Sequence, residues 1–137
     1  MVIHVTGILF LGEKIVRRRK QIEKRIGFGY AGALLISVFA AIIVLHVSEA
    51  GIWAIFYWRA SLFPDFETSL HFSLQSYSTV GYGDVGLPQN WRLLGTIEGI
   101  SGVLLCGLSA AFLFAIVNAL FRFRVQRLSR EIHSTQP

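Results

Sequence analysis

The stretch of this sequence whose residue types and order point to chemistry is Ser78-Thr79-Val80-Gly81-Tyr82-Gly83-Asp84. Its resource is backbone oxygen, not a reactive side chain. A cation such as potassium sheds its water only where other oxygens replace it, and it moves on only if no single site holds it too deeply. Copies of a short extended loop meet both needs when their carbonyls face a shared axis in successive rings, with the Thr79 hydroxyl adding a ring at the inner end. Carbonyls in an ordinary strand alternate in direction, so such a loop needs alternating backbone conformations. Gly81 and Gly83 reach positive φ without a side-chain clash. Val80 and Tyr82 are then expected to point away from the ions and pack behind the loop.

Such a loop works only inside a membrane and only if other elements aim it. Residues 26–48 and 99–121 contain no Asp, Glu, Lys or Arg. Each run exceeds the roughly 20 apolar residues, at about 1.5 Å rise each, that a spanning helix needs. The first span is predicted at about Gly27–Val47 and the second at about Gly95–Ala119. Between them, Pro64 and Asp65 precede a helix predicted from Phe66 to near Ser78, with Asp65 capping its amides and Glu67 facing the positive end of its dipole. That helix is too short to cross and suits a re-entrant element entering halfway. Glu49 is expected to mark the outer boundary of the first span. Trp53, Phe56, Tyr57 and Trp58 beyond it suit the headgroup region, as a surface-lying helix or an outward continuation of the span. Residues 2–12 are apolar but too short to span, and lack the basic start of a secretory signal. They read as an interfacial helix or as the tail of a shortened span.

The formal net charge is +5, and its placement is informative: of thirteen Lys and Arg residues only Arg59 and Arg92 fall between the two uncharged runs. Basic flanks favour the cytoplasmic side, so both termini are expected inside, facing anionic lipid headgroups. No zinc, helix-turn-helix or aromatic-platform signature accompanies the basic residues, which argues against nucleic-acid binding. Arg17-Arg18-Arg19 is contiguous and lies before the span, unlike the three-residue spacing of a voltage sensor. The lone Cys106 excludes an intrachain disulfide and any multi-cysteine metal site, and its apolar surroundings suit inert helix packing.

Thr79-Val80-Gly81-Tyr82-Gly83-Asp84 matches the TVGYGD word of the potassium-channel pore-domain family in full, and the chain resembles that family's two-span bacterial members over about Gly27–Val117. The resemblance implies that Thr79, Val80, Gly81 and Tyr82 supply the oxygens that coordinate K⁺, the transported ion, with no cofactor. It implies that Gly83 allows the outer turn and that Asp84 braces the loop or shapes its mouth. Ser78 departs mildly from the family's first threonine. Gln75 stands where some members carry a glutamate partner for the aspartate, and so removes one possible carboxylate pair. Gly102 and Gly107 stand where the family bends at a gate, although close helix packing explains them equally.

The expected fold class is an all-α membrane protein, two transmembrane helices flanking a re-entrant pore helix and a selectivity-filter loop. One chain supplies one filter strand, so four copies are expected around one axis, each with three identical partners. The expected segments are a basic or interfacial stretch over 1–25, a pore domain over 26–121 and a basic cytosolic tail over 122–137. The absence of a sensory domain points to a prokaryotic inner membrane. A weakly selective Na⁺/K⁺ pore and a nonconducting regulatory subunit are the competing readings; an enzyme is not, since no reactive constellation exists. Glu98 is expected to pair with Arg92, His71 or Gln75, or to reach interfacial water. His46 reads as interfacial or packed, or as a proton-sensitive gate. Asp65, Glu67 and Asp84 could look like an acidic metal set, but capping and a cation-attracting vestibule account for the first two.

Overall fold

The computed structural model describes residues 1–25 and 27–134. Ile26, where the expected pore domain begins, lies outside these residues, as do the side chains of Lys24, Arg25 and Arg130 from the basic flanks. The helices are α1 (Val2–Arg17), α2 (Arg19–Arg25), α3 (Phe28–Arg59), α4 (Phe66–Tyr77) and α5 (Arg92–Ser134), with a single 3₁₀ turn at Gln89–Trp91 leading into α5. No strand occurs among the described residues.

Proline placement explains the lengths. The chain has no proline before Pro64 and none between Pro88 and Pro137, so nothing removes an amide from α3 or α5. α3 runs for 32 residues and α5 for 43. Both are long and apolar enough to cross a membrane. α3 therefore continues through the aromatic run instead of breaking at Glu49. It ends where Ser61 turns into positive φ (53°) and the Leu62 amide bonds back to the Tyr57 carbonyl at 3.1 Å.

α4 fits its predicted span. The Asp65 carboxylate accepts the Thr68 amide at 2.7 Å, and this bond holds the Asp65 carboxyl below its ordinary range. α4 packs on both α3 and α5, and three apolar clusters seal the contacts. Tyr57, Phe63, Phe72 and Leu87 form one, around the start of α4. Ala50, Tyr77 and Leu105 form the second, at its end. Ile22, Val38, Ile42, Ile116 and Leu120 form the third, beyond α4, where α2, α3 and α5 meet.

α1 lies along α3 in the opposite sense. The His4 amide donates to Glu49 Oε1 at 3.1 Å, Gly7 faces Leu45, Gly12 faces Phe112, and Ile15 joins the Ile22–Val38 cluster. Residues 2–12, expected as an interfacial helix or the tail of a shortened span, form most of a helix packed on α3. Glu49 is consequently buried, with both carboxylate oxygens also 2.6 Å from the Met1 nitrogen.

Candidate functional site

The segment after α4 has an unusual backbone. Thr79, Gly81 and Gly83 adopt positive φ (59°, 55° and 77°), while the intervening Val80 and Tyr82 do not. Alternation of this kind turns successive carbonyls toward one side of the chain. Glycine adopts it freely at two of the three positions; Thr79 holds it at a cost of about 1–2 kcal/mol. The Gly81 amide reaches the Gln75 carbonyl oxygen at 3.4 Å, and the Thr79 amide bonds the Ser76 carbonyl at 3.1 Å.

Gln75 organises the outer half of the loop. Its side-chain Oε1 accepts the Tyr82 amide at 3.1 Å, and its side-chain Nε2 donates to Asp84 Oδ1 at 2.8 Å. A carboxylate at this position could accept from Tyr82 but would repel Asp84 unless it carried a proton; the neutral amide does both tasks. His71 Nε2, which also touches the Gln75 amide, lies 2.9 Å from Asp84 Oδ2. The Gln75 bond first, and the His71 bond second, hold the Asp84 carboxyl below its ordinary range.

Within one chain Val80 and Tyr82 are 55% and 74% exposed. Glu98, expected to pair with Arg92, His71 or Gln75 or to reach water, is instead fully buried and accepts the Tyr57 hydroxyl at 2.8 Å and the Ser73 hydroxyl. Ser73 Oγ also bonds the Ala50 carbonyl oxygen at 2.7 Å, so this knot ties α3, α4 and α5 together behind the loop. Glu98→Ala leaves the buried Tyr57 hydroxyl without an acceptor while Ser73 keeps the Ala50 carbonyl, an expected loss of roughly 1–3 kcal/mol, whereas Glu98→Gln keeps an acceptor for Tyr57 and a polar group for Ser73 and loses far less. Thermal unfolding of the detergent-purified variants measures the difference, and equal losses would disprove the role.

The inner-helix glycines separate into two kinds. A Cβ on Gly102 would lie 2.0 Å from the Tyr77 carbonyl oxygen, and one on Gly99 3.1 Å from the Ser76 carbonyl oxygen. Gly95 similarly meets the Phe72 ring at 3.1 Å. These three form a stripe against which α4 rests, by its backbone at Gly99 and Gly102 and by the Phe72 side chain at Gly95, and the spacing of Gly95, Gly99 and Gly102 was available as its signal in the sequence. Gly107 meets nothing within 4 Å. Cys106 is exposed, not packed within the chain. His46 is packed by hydrogen bonds to Tyr77 and Ser109. Among the described residues no group of His, Cys, Asp or Glu is arranged to hold a metal ion through side chains.

Comparison with known proteins agrees with this architecture. Residues 31–119, well over half of the chain, match the family model described as ion channel, which is not an enzyme family and needs no cofactor. Neither a curated protein nor a solved structure matches the chain significantly. The matched residues take in α4, the 79–83 loop and nearly all the apolar parts of α3 and α5, and the chain, an all-α membrane protein, belongs to the ion channel family.

Proposed function

We propose that four copies of this chain form a potassium-selective channel that passes K⁺ passively across a prokaryotic inner membrane, with both termini cytoplasmic. The observation that carries the reading is the alternating backbone at 79–83 at the end of a half-length helix. Thr79, Val80, Gly81 and Tyr82 supply oxygen rings, Gly83 makes the outer turn, and Gln75 and Asp84 brace it. The negative end of α4 points into the assembly and lowers the cost of holding a cation at membrane depth. Exposure of Val80 and Tyr82 in one chain supports the fourfold assembly, since neighbouring copies then supply the missing packing. So does the exposed apolar stripe Leu93, Ile97, Ile100, Leu104 and Leu108 on α5.

In liposomes with opposed K⁺ and Na⁺ gradients, the reversal potential is expected to follow the K⁺ gradient. A value indifferent to that gradient would overturn potassium selectivity, and absence of any current from the assembled protein would favour a nonconducting subunit.

Acid provides a second test. A carboxyl with a depressed folded-state pKa contributes stability that is fully present above its unfolded value and is lost as pH falls through the folded value. The Asp84 brace is therefore expected to survive from neutral pH down to about 5 and to fail only below about 4, near and beneath the ordinary aspartate value. K⁺ flux should show that late acid loss, and Asp84→Asn should abolish the step; a step of unchanged position in Asp84→Asn would assign it elsewhere.

A further inference from the structure

The base of the 79–83 loop is also tied to a row of polar side chains that ion coordination does not use. Tyr77 is the last residue of α4, two positions before Thr79, and its hydroxyl lies 2.9 Å from His46 Nδ1. His46 Nε2 lies 3.2 Å from Ser109 Oγ, and Ser109 Oγ lies 2.8 Å from His4 Nε2. The two imidazole rings stand 4.4 Å apart. One group comes from each of α4, α3, α5 and α1. His4 is fully buried, and Ser109 and Tyr77 are nearly so.

Polar groups in such surroundings are costly unless bonded, so their presence needs a reason that leucine packing would not supply. The arrangement also has a direction. Ser109 has one hydroxyl proton between two imidazole nitrogens, so it donates to one and accepts from the other. If it donates to His4, His46 Nε2–H donates to Ser109, and the bare His46 Nδ1 accepts from Tyr77. If it donates to His46, His4 Nε2–H donates to Ser109 and His46 Nδ1–H donates to Tyr77. The proton arrangement at Tyr77 is thus correlated with that at His4, though no hydrogen bond joins them directly. His4 Nδ1 has no partner, so nothing at that end competes with either order.

We infer that His4, Ser109 and His46 are positioning residues that hold Tyr77 and, through it, the inner end of the loop, making α1 a working part of the permeation unit. The backbone transmits the constraint, because the Tyr77 carbonyl is pressed against Gly102 and the Thr79 amide is bonded one turn back. The inference rests on the reading of residues 79–83 as the ion path, and its test separates the two.

The probe is amide hydrogen exchange of residues 78–83 in the full-length protein reconstituted in liposomes, alongside the K⁺/Na⁺ permeability ratio. Ser109→Val and Ser109→Thr have nearly the same shape and differ in the hydroxyl, so any crowding is common to both. Tyr77→Phe and Ser109→Val are expected to speed exchange in 78–83 by about threefold to tenfold, the size of one lost hydrogen bond, and to lower the permeability ratio, while Ser109→Thr restores both. The double variant should be no worse than the worse single one, since both cut the same row. Unchanged exchange in Tyr77→Phe and Ser109→Val, failure of Ser109→Thr to rescue, or additive effects would overturn the inference. If the wild-type protein shows no preference for K⁺, the selective reading falls, while the exchange pattern still decides whether these residues position the loop.

Discussion

Gly81→Ala is expected to abolish potassium-selective current while leaving the helices folded and in the membrane. Gly81 sits at φ 55°, and nothing lies within 4 Å of the place its Cβ would occupy, so the effect within a chain is conformational and not a clash. An alanine held there costs about 1–2 kcal/mol, hence about 4–8 kcal/mol over the four copies of the proposed assembly. The backbone relieves that strain most cheaply by turning the peptide, which swings a carbonyl out of the row. Thr79 cannot absorb it, because it is already left-handed without glycine's freedom. Circular dichroism should match wild type while the reversal potential ceases to follow the K⁺ gradient. Wild-type selectivity in Gly81→Ala would mean that this loop does not line the ion path.

Gly102→Ala is expected to fail earlier, at assembly. The atom that its Cβ would strike at 2.0 Å is a backbone oxygen, which cannot swing aside as a flexible side chain can. The end of α4 must retreat, and overpacking of that kind costs about 1–3 kcal/mol or more in each chain. Gly107→Ala is the matched control, since open space surrounds it and alanine favours a helix by about 1 kcal/mol over glycine. Lower thermal stability with lost tetramer for Gly102→Ala, beside unchanged or raised stability for Gly107→Ala, is the expected pair. If Gly107 serves as the gate hinge, its alanine variant alters opening without loss of stability. Equal stability of the two variants would remove the packing role assigned to Gly102.

Features encoded by neighbouring residues were legible without the fold. Pro64 and Asp65 announce α4 because capping and proline chemistry act within one turn, and the 79–83 word carries its own backbone demands in Gly81 and Gly83, whereas the positive φ of Thr79 is not announced by its residue type. Partnerships across the fold were not legible. Glu49 reads in the sequence as the outer boundary of a span; its partners are the Met1 nitrogen and the His4 amide, 48 and 45 residues away. Glu98 is expected from the sequence to meet Arg92, His71, Gln75 or interfacial water, while its partners Tyr57 and Ser73 arrive from two other helices. Val80 and Tyr82 illustrate a different limit: a single chain leaves both exposed.

The unbroken length of α5 has a mechanical consequence. Its 43 residues make a rod of about 65 Å, roughly twice the hydrocarbon thickness of about 30 Å, so the arginine-bearing end is a stiff arm and not slack rope. A sideways push on that arm is felt as torque further up, and the first place where the rod has neither a side chain nor a neighbour to resist bending is Gly107.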